Sequence, residues 1–538
     1  VKIDNYDNRS TYKAYASTSS LASGSRGTYA DTSSQSKNTY ADAIATLNKS
    51  FNDWSVNVNL GVSLSDSRYE MIGYEGGLKL INFFAVHNID FNKAWKAKQS
   101  GWHDQTRAIF ANAEIGWKSM IYLTATGRND WDSRLAFSDY KSFFYPSVGL
   151  SAILTSMFNA PDWLTYLKVR GSYTEVGNSY GRFMTTVTYP YDEQTQNWTS
   201  TSSYPNTKLK PERTKSWEVG LDARILNDIS LNLTYYRSNT YNQTFYADLS
   251  LSSGYSNIPI QSGNIMNEGI EMALGYNKQW KDFSFNTNYT LTWNKNRVKR
   301  LADGVYNYAT GQSIQMPELS PLTYGHTDAR LILRVGGSMG DVYGQRLLKR
   351  DLNGYILNEE GVGLTMENKE TYLGSILPKM NMGWSLGFGY KGVNLGMTFT
   401  GRFGGIVISE TQSVLDAAGV SKVSADVRDA GGVQINQGKV SAQTYYQAIQ
   451  GTAAYYTYSA TNVRLGELSL SYTLPKKWFD NKVGMTVGLV GKNLWMIYCK
   501  APFDPELTTS AASNFYQGFD AYMLPSTRNF GFNIKFQF

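Results

Sequence analysis

Apolar and polar residues alternate along much of the chain, most plainly over Thr527 to Phe538. Phe530, Phe532, Ile534, Phe536 and Phe538 fall on one parity, and Asn529, Gly531, Asn533, Lys535 and Gln537 on the other. Successive side chains of a strand point to opposite faces, so this segment predicts a strand with one aromatic and one polar face. The same period recurs in Val56, Val58, Leu60, Val62 and Leu64, and in Trp217, Val219, Leu221, Ala223 and Ile225. It returns in Phe283, Phe285, Thr287, Tyr289, Leu291 and Trp293, then over Trp384–Tyr390 and Val483–Leu489. Each run spans roughly 8–14 residues, and about 10–12 tilted residues cross an outer-membrane hydrocarbon belt.

The connections alternate as well. Short ones fall near Lys49–Asp53, Trp117–Ser119, Leu226–Ile229, Lys278–Asp282 and Tyr390–Val393. Long ones fall over Tyr69–Trp102, Asn129–Ser142, Gly177–Lys215, Ala247–Ile265, Arg297–Lys379, Gly404–Ser459 and Trp495–Pro525. Loops of that size fit poorly in a compact soluble domain. Tight turns at one end and long loops at the other are what a transmembrane barrel requires. The pattern therefore predicts an all-β, antiparallel, up-and-down transmembrane β-barrel with about sixteen wall strands. Short turns face the periplasm and long loops the exterior. The first strand is expected near Thr11–Thr18 and the second over Asn38–Lys49, with Ser17–Ser36 a solvated loop.

Composition agrees with a wall wetted on one side. Hydrophobic residues are 42% of the chain and mean hydropathy is -0.38, with no apolar run long enough for a membrane helix. A net charge of +7 carried by dispersed Lys and Arg gives no nucleic-acid footprint. One cysteine, Cys499, excludes an internal disulfide and a thiolate metal site. No secretory leader is visible at Val1, which for an exported protein suggests a mature or truncated chain.

Several motifs then resemble a known family. Lys208-Leu209-Lys210-Pro211-Glu212, continuing through Ser216, Glu218 and Gly220, is similar to a signature of TonB-dependent transporter barrels. Leu231–Thr240 and Gly263–Glu271, with Asn267, Gly269 and Glu271, resemble the next strand of those barrels and the turn into the one after it. Arg128–Arg134, Phe144–Val148, Val463–Pro475, Lys492–Trp495 and Phe503-Asp504-Pro505-Glu506 complete an ordered set that resembles the SusC/RagA branch. That resemblance implies a nutrient importer of Bacteroidetes outer membranes, working with a SusD-like surface lipoprotein, often as a dimer of such pairs. It also implies an N-terminal plug domain, contact with TonB and a barrel of about 22 strands. Here no plug sequence is found, so residues 1–538 read as the C-terminal portion of such a barrel, lacking the plug and first strands. Phe530, Phe532, Ile534, Phe536 and Phe538 resemble the assembly signal of outer-membrane barrels.

The sequence offers no Ser/His/Asp set, Cys/His pair or isolated carboxylate pair, and no enzyme, cofactor or metal site is expected. Asp351–Tyr355 departs from a calcium loop because its glycine comes too early. The expected cargo is an oligosaccharide or peptide, whose apolar faces stack on loop aromatics. Trp131, Asp132, Tyr180, Tyr255, Tyr456 and Tyr516 are the substrate-contact candidates, against the plainer reading that such residues pack loops or form an interfacial girdle. A complete sixteen-stranded passive porin is the alternative, and a secreted glycan-binding module a third reading.

Overall fold

The computed structural model describes residues 1–18, 25–92, 95–189, 191–192, 197–199, 201–261, 263–307, 309–359, 363–507, 509 and 514–538. Sixteen strands form one antiparallel sheet whose spatial order is chain order. They begin with β1 (Lys2–Ala14), β2 (Thr28–Phe51), β3 (Trp54–Gly77), β4 (Trp95–Trp117), β5 (Ile121–Asp132) and β6 (Phe143–Ile153). Next come β7 (Leu164–Asn178), β8 (Glu212–Ile225), β9 (Ile229–Tyr241), β10 (Asn264–Trp280) and β11 (Phe283–Arg300). The wall ends with β12 (Met380–Tyr390), β13 (Val393–Phe403), β14 (Asn462–Leu474), β15 (Gly484–Cys499) and β16 (Asn529–Gln537). Among the described residues no helix is long and apolar enough to cross a membrane.

The register keeps one face apolar from strand to strand. Leu47, Val58, Ala113, Ala125, Val148, Tyr173 and Trp217 pair in a row across β2 to β8. Leu231, Leu274, Tyr289, Trp384, Phe399, Leu465 and Trp495 do the same across β9 to β15. Phe532 then stands opposite Leu489. One residue along, the other face carries Asn48, Asn57, Glu114, Thr124, Gly149, Ser172 and Glu218. A one-residue slip would exchange the two faces, so the sorting itself pins the register. Phe51, Trp54 and Trp117, and farther round Trp280, Phe283 and Tyr390, gather at the turn end as an aromatic girdle.

So large an exposed apolar face needs lipid. Phe530 and Phe532 are 79% and 77% exposed, and Leu489 64%. The accessible surface is 31291 Å², against about 19,500 Å² for a compact 60.3 kDa protein. The excess is a sheet wetted on both sides. β1 and β16 do not pair with each other among the described residues, so the sheet has two edges.

Turns and loops alternate as predicted. Lys391 and Gly392 link β12 to β13 with φ of 47° and 89°, the left-handed pair of a two-residue hairpin that matches strand twist. Asn52-Asp53 and Lys281-Asp282 make the corresponding hairpins after β2 and β10.

The strands themselves run further than the alternation predicts. β1 is Lys2–Ala14, not Thr11–Thr18, and β2 starts at Thr28, so Thr28–Ser36 is strand and not loop. Within the expected loop Ser17–Ser36, residues 19–24 lie outside the described residues. The expected loop Tyr69–Trp102 shrinks because β3 continues to Gly77 and β4 begins at Trp95. β2 and β3 each have 24 residues, about 60 Å along the membrane normal at a tilt near 40°, more than twice the belt height of about 25 Å. Above the belt both faces meet water, so the apolar half of the period disappears while the ladder continues.

Leu274 lies near mid-belt on the apolar face, and Asn288 projects into the lumen. Leu274→Arg is expected to cost about 2–4 kcal/mol in reversible unfolding from lipid bilayers, and Asn288→Arg less than about 1 kcal/mol. Equal costs would show that the two faces are not solvated differently.

Candidate functional site

The long connections fold together above the C-terminal half of the wall. A short hairpin pairs Thr244–Asp248 with Asn257–Gln261, and a four-stranded sheet spans Glu318–Thr323, Arg330–Arg334, Asp341–Leu348 and Met366–Ser375. Phe245, Ile258, Ile260, Tyr324, Leu331, Leu333, Ile376, Ile408 and Phe519 form one buried core that joins four separate connections. A second core holds Leu348, Ile356, Ile435, Tyr446, Ile449 and Tyr456. Helices α2 (Lys422–Asp429) and α3 (Ala442–Ile449) pack into it, α1 (Glu410–Ala417) packs against both, and the three are capped by the hydroxyls of Ser409, Ser421 and Ser441. Burial in these cores pushes the Tyr445 phenol up to about 12. The loop end is thus a folded assembly.

The six candidate contact residues do not converge. Trp131 pairs with Arg107, which pairs with Leu64, so its ring sits on the apolar outer face at the loop end of the belt. The Asp132 carboxylate is buried and accepts from Arg134 at 2.6 Å and Ser179 at 2.9 Å, fixing the turn after β5. Tyr180 is buried with Leu135, Phe143 and Leu209, and Tyr456 is buried in the helical core. Tyr516 packs against Tyr324 and Phe519. Tyr255 meets Tyr204 edge-on at 5.1 Å and keeps part of its surface open.

An inward-facing cluster that the alternation did not reveal lies on the raised part of the wall. Tyr6, Ser36, Tyr69 and Trp102 pair in one row on the lumen-side face. Tyr69 and Trp102 stack at 5.9 Å. The Arg182 guanidinium, carried by the 179–211 connection, lies 3.6 Å from the Trp102 ring centre and donates to Asp104 at 2.6 Å. Tyr40, on the same face, is 41% exposed. Continuing the period through Tyr69 and back from Trp102 would have found it, had polar residues on both faces not hidden the strand.

The ordered motifs have physical roles. Gly220 leaves room for Arg170, since a Cβ there would lie 2.4 Å from its Nε; the guanidinium reaches Asp222 at 3.4 Å and Thr234 at 2.5 Å. Gly269 similarly admits the Tyr236 ring, which bonds Asn294 at 2.9 Å. Arg464 on β14 clasps Asp504 with two bonds of 2.8 and 3.0 Å, and Asn462 donates to Glu506 at 3.0 Å. This ties the 500–528 connection to the wall. Burial alone would raise the Asp504 carboxyl, but the bonds from Arg464 and the Glu506 amide hold it below its ordinary value.

A family model described as "TonB dependent receptor-like, beta-barrel" matches residues 2–494. The chain belongs to that family. Its members are outer-membrane receptors and transporters, not enzymes. TonB-dependent receptor P3 of Formosa agariphila is 24% identical over 537 residues, 91% of this chain and 51% of the relative. TonB-dependent receptor SusC of Bacteroides thetaiotaomicron is 25% identical over 243 residues, 44% of this chain and 22% of the relative. A solved RagAB peptide importer in its open-open state matches with a TM-score of 0.75 at 18% identity, covering 99% of this chain and 58% of that one. The chain spans about half the length of the curated relatives that it matches over most of its own length.

Arg464→Gln leaves Asp504 without its cation and is expected to destabilise the clasp by about 3 kcal/mol, read as lost amide-exchange protection across 500–528. Because the Asp504 carboxyl lies below 3.8 in the folded protein, its contribution is complete above that value and lost as pH falls through the lowered one. Pepsin is therefore expected to nick 500–528 only below about pH 3.8. Arg464→Gln protein that is cut no faster than the wild type above pH 3.8 would show that the pair does not hold the segment.

Proposed function

We propose that this chain is the C-terminal portion of a TonB-dependent importer that draws an oligomeric nutrient, oligosaccharide or peptide, across the outer membrane. A plug and further strands, supplied outside residues 1–538, would close the edges at β1 and β16 and receive energy from TonB. Unpaired backbone at those edges would otherwise cost several kcal/mol per group in hydrocarbon. The observation that carries the reading is the folded loop assembly. Four connections share one core above a polar lumen, which suits a docking platform for a SusD-like lipoprotein better than the flexible rim of a passive pore. Likeness to SusC and to a RagAB peptide importer supports both the partner and the cargo class. A dimer of transporter–lipoprotein pairs belongs to the same proposal.

For substrate contact the proposal favours the lumen-side cluster of Tyr69, Trp102 and Arg182, together with Tyr255 and Tyr516. An aromatic face takes a sugar ring or an apolar side chain, while Arg182 offers donors to hydroxyl or carboxylate oxygens. Trp131, Asp132, Tyr180 and Tyr456 are assigned to the interface and to packing.

In cells carrying the full-length protein, uptake of a labelled oligomer is expected to stop when TonB is removed. Uptake that persists by diffusion would favour the porin. Trp102→Ala is expected to weaken oligomer binding roughly tenfold, the equivalent of about 1.4 kcal/mol; unchanged affinity would remove the cluster from the site.

A further inference from the structure

The outer face is not evenly filled. Across most of β9 to β15 it presents large side chains such as Leu274, Tyr289, Trp384 and Phe399. On β2, β4 and β5 it presents small ones at Ala41, Ala43, Ala45, Ala111, Ala113, Ala125 and Gly127, and a groove opens there beside the larger Leu60, Val62 and Ile109. Ala41, Ala43, Val62, Ala111, Gly127 and Phe144 line two contiguous hollows of about 800 and 780 Å³, which share Ala43, Val62 and Ile109. The Phe144 ring lies over Gly127, where a Cβ would come within 3.1 Å of it. The groove is therefore a shaped trough on the lipid side, apolar apart from Asn129 between Ile109 and Phe144.

Its loop-side end is polar and positive. Arg107 stands in register between Leu64 and Trp131, where the apolar residues of β3 and β4 give way to Asp66, Gln105 and His103. Its Nε donates to Gln105 Oε1 at 2.9 Å, which steers the guanidinium. The nearby carboxylate on that face, Asp66, is already engaged by His103 at 2.7 Å, Gln105 at 3.1 Å and Arg68 at 3.4 Å. Among the described residues no carboxylate forms an ion pair with Arg107, and its side chain is exposed. An uncompensated guanidinium at headgroup height suits the bidentate recognition of a phosphate. Trp131 beside it is of the type that sits at the same depth.

We propose that this trough holds one phosphate-bearing lipid of the outer leaflet, with an acyl chain along Ala41, Ala43, Ala111 and Gly127 and the phosphate on Arg107. The assignment requires that the wall stand in a membrane with its long connections outside, and that whatever strand completes the ladder beside Ala41–Phe51 of β2 leave the outer face of that strand open. It is independent of what the barrel imports. Charge complementarity selects a lipid over a second copy of the chain: Arg107 on a facing copy would bring like charge to the rim.

The test is native mass spectrometry of the full-length protein released from its membrane in mild detergent, with phosphate analysis of the retained lipid. About one phosphate-bearing lipid per chain is expected. Arg107→Gln should lower its retention about tenfold, and Ala43→Leu, which fills the trough without adding charge, should do the same. Arg237→Gln serves as the control. It lies on the outer face opposite Trp217, away from the trough, and should leave retention unchanged. Retention equal in wild type and Arg107→Gln would overturn the proposal. So would a dimer that Ala43→Leu dissociates with no change in bound lipid, because the trough would then seat another barrel.

Discussion

Peptide groups cannot be left unbonded in hydrocarbon, and that constraint governs the rest of the molecule. Each N–H and C=O within the belt needs a partner on an adjoining strand, since lipid offers none. A continuous antiparallel ladder from β1 to β16 meets the demand everywhere except along its two edges. Once the ladder exists, alternation is no longer a preference but a sorting rule. Every residue faces either lipid or water, and its neighbours across the sheet face the same way. The rows from Leu47 to Trp217 and from Leu231 to Trp495 are that rule written across the wall.

Polar side chains on the lumen face then bond among themselves. Arg170 reaches across from β7 to Asp222 and Thr234 over the space that Gly220 leaves, and Tyr236 crosses Gly269 to Asn294. These contacts explain why the motif glycines sit on lumen parity: a side chain there would block a neighbour that must lie flat. The motifs describe how the wall is knitted. They say less about what passes it.

The belt was legible because lipid enforces a period that no other environment requires. Strand number, order and the short-turn, long-loop alternation all follow from it. The upper thirds of β2, β3 and β4 were illegible for the complementary reason. With water on both sides, Asp31, Lys37, Asp66 and Arg68 are as acceptable outside as Ser36 or Ser65 are inside, and the sequence there looks like loop. The stacked Tyr69 and Trp102 were lost with those strand ends. Among candidate contacts, residue type alone could not separate an aromatic that packs from one that is open. Tyr180 and Tyr456 lie in cores whose other members, such as Leu135 and Ile356, come from distant parts of the chain.

The meandering strand order has a further consequence for how such a wall can diversify. Chain-closure entropy rises only with the logarithm of loop length, so lengthening a connection is cheap once its ends are anchored. Between the 242–263 and 301–379 connections the length grows almost fourfold, for about 1 kcal/mol of additional closure entropy. The strands on either side pair through the same kind of ladder in both cases. Insertions at the exterior rim are thus nearly uncoupled from assembly of the wall, leaving recognition free to vary over a scaffold whose own construction hardly registers the change.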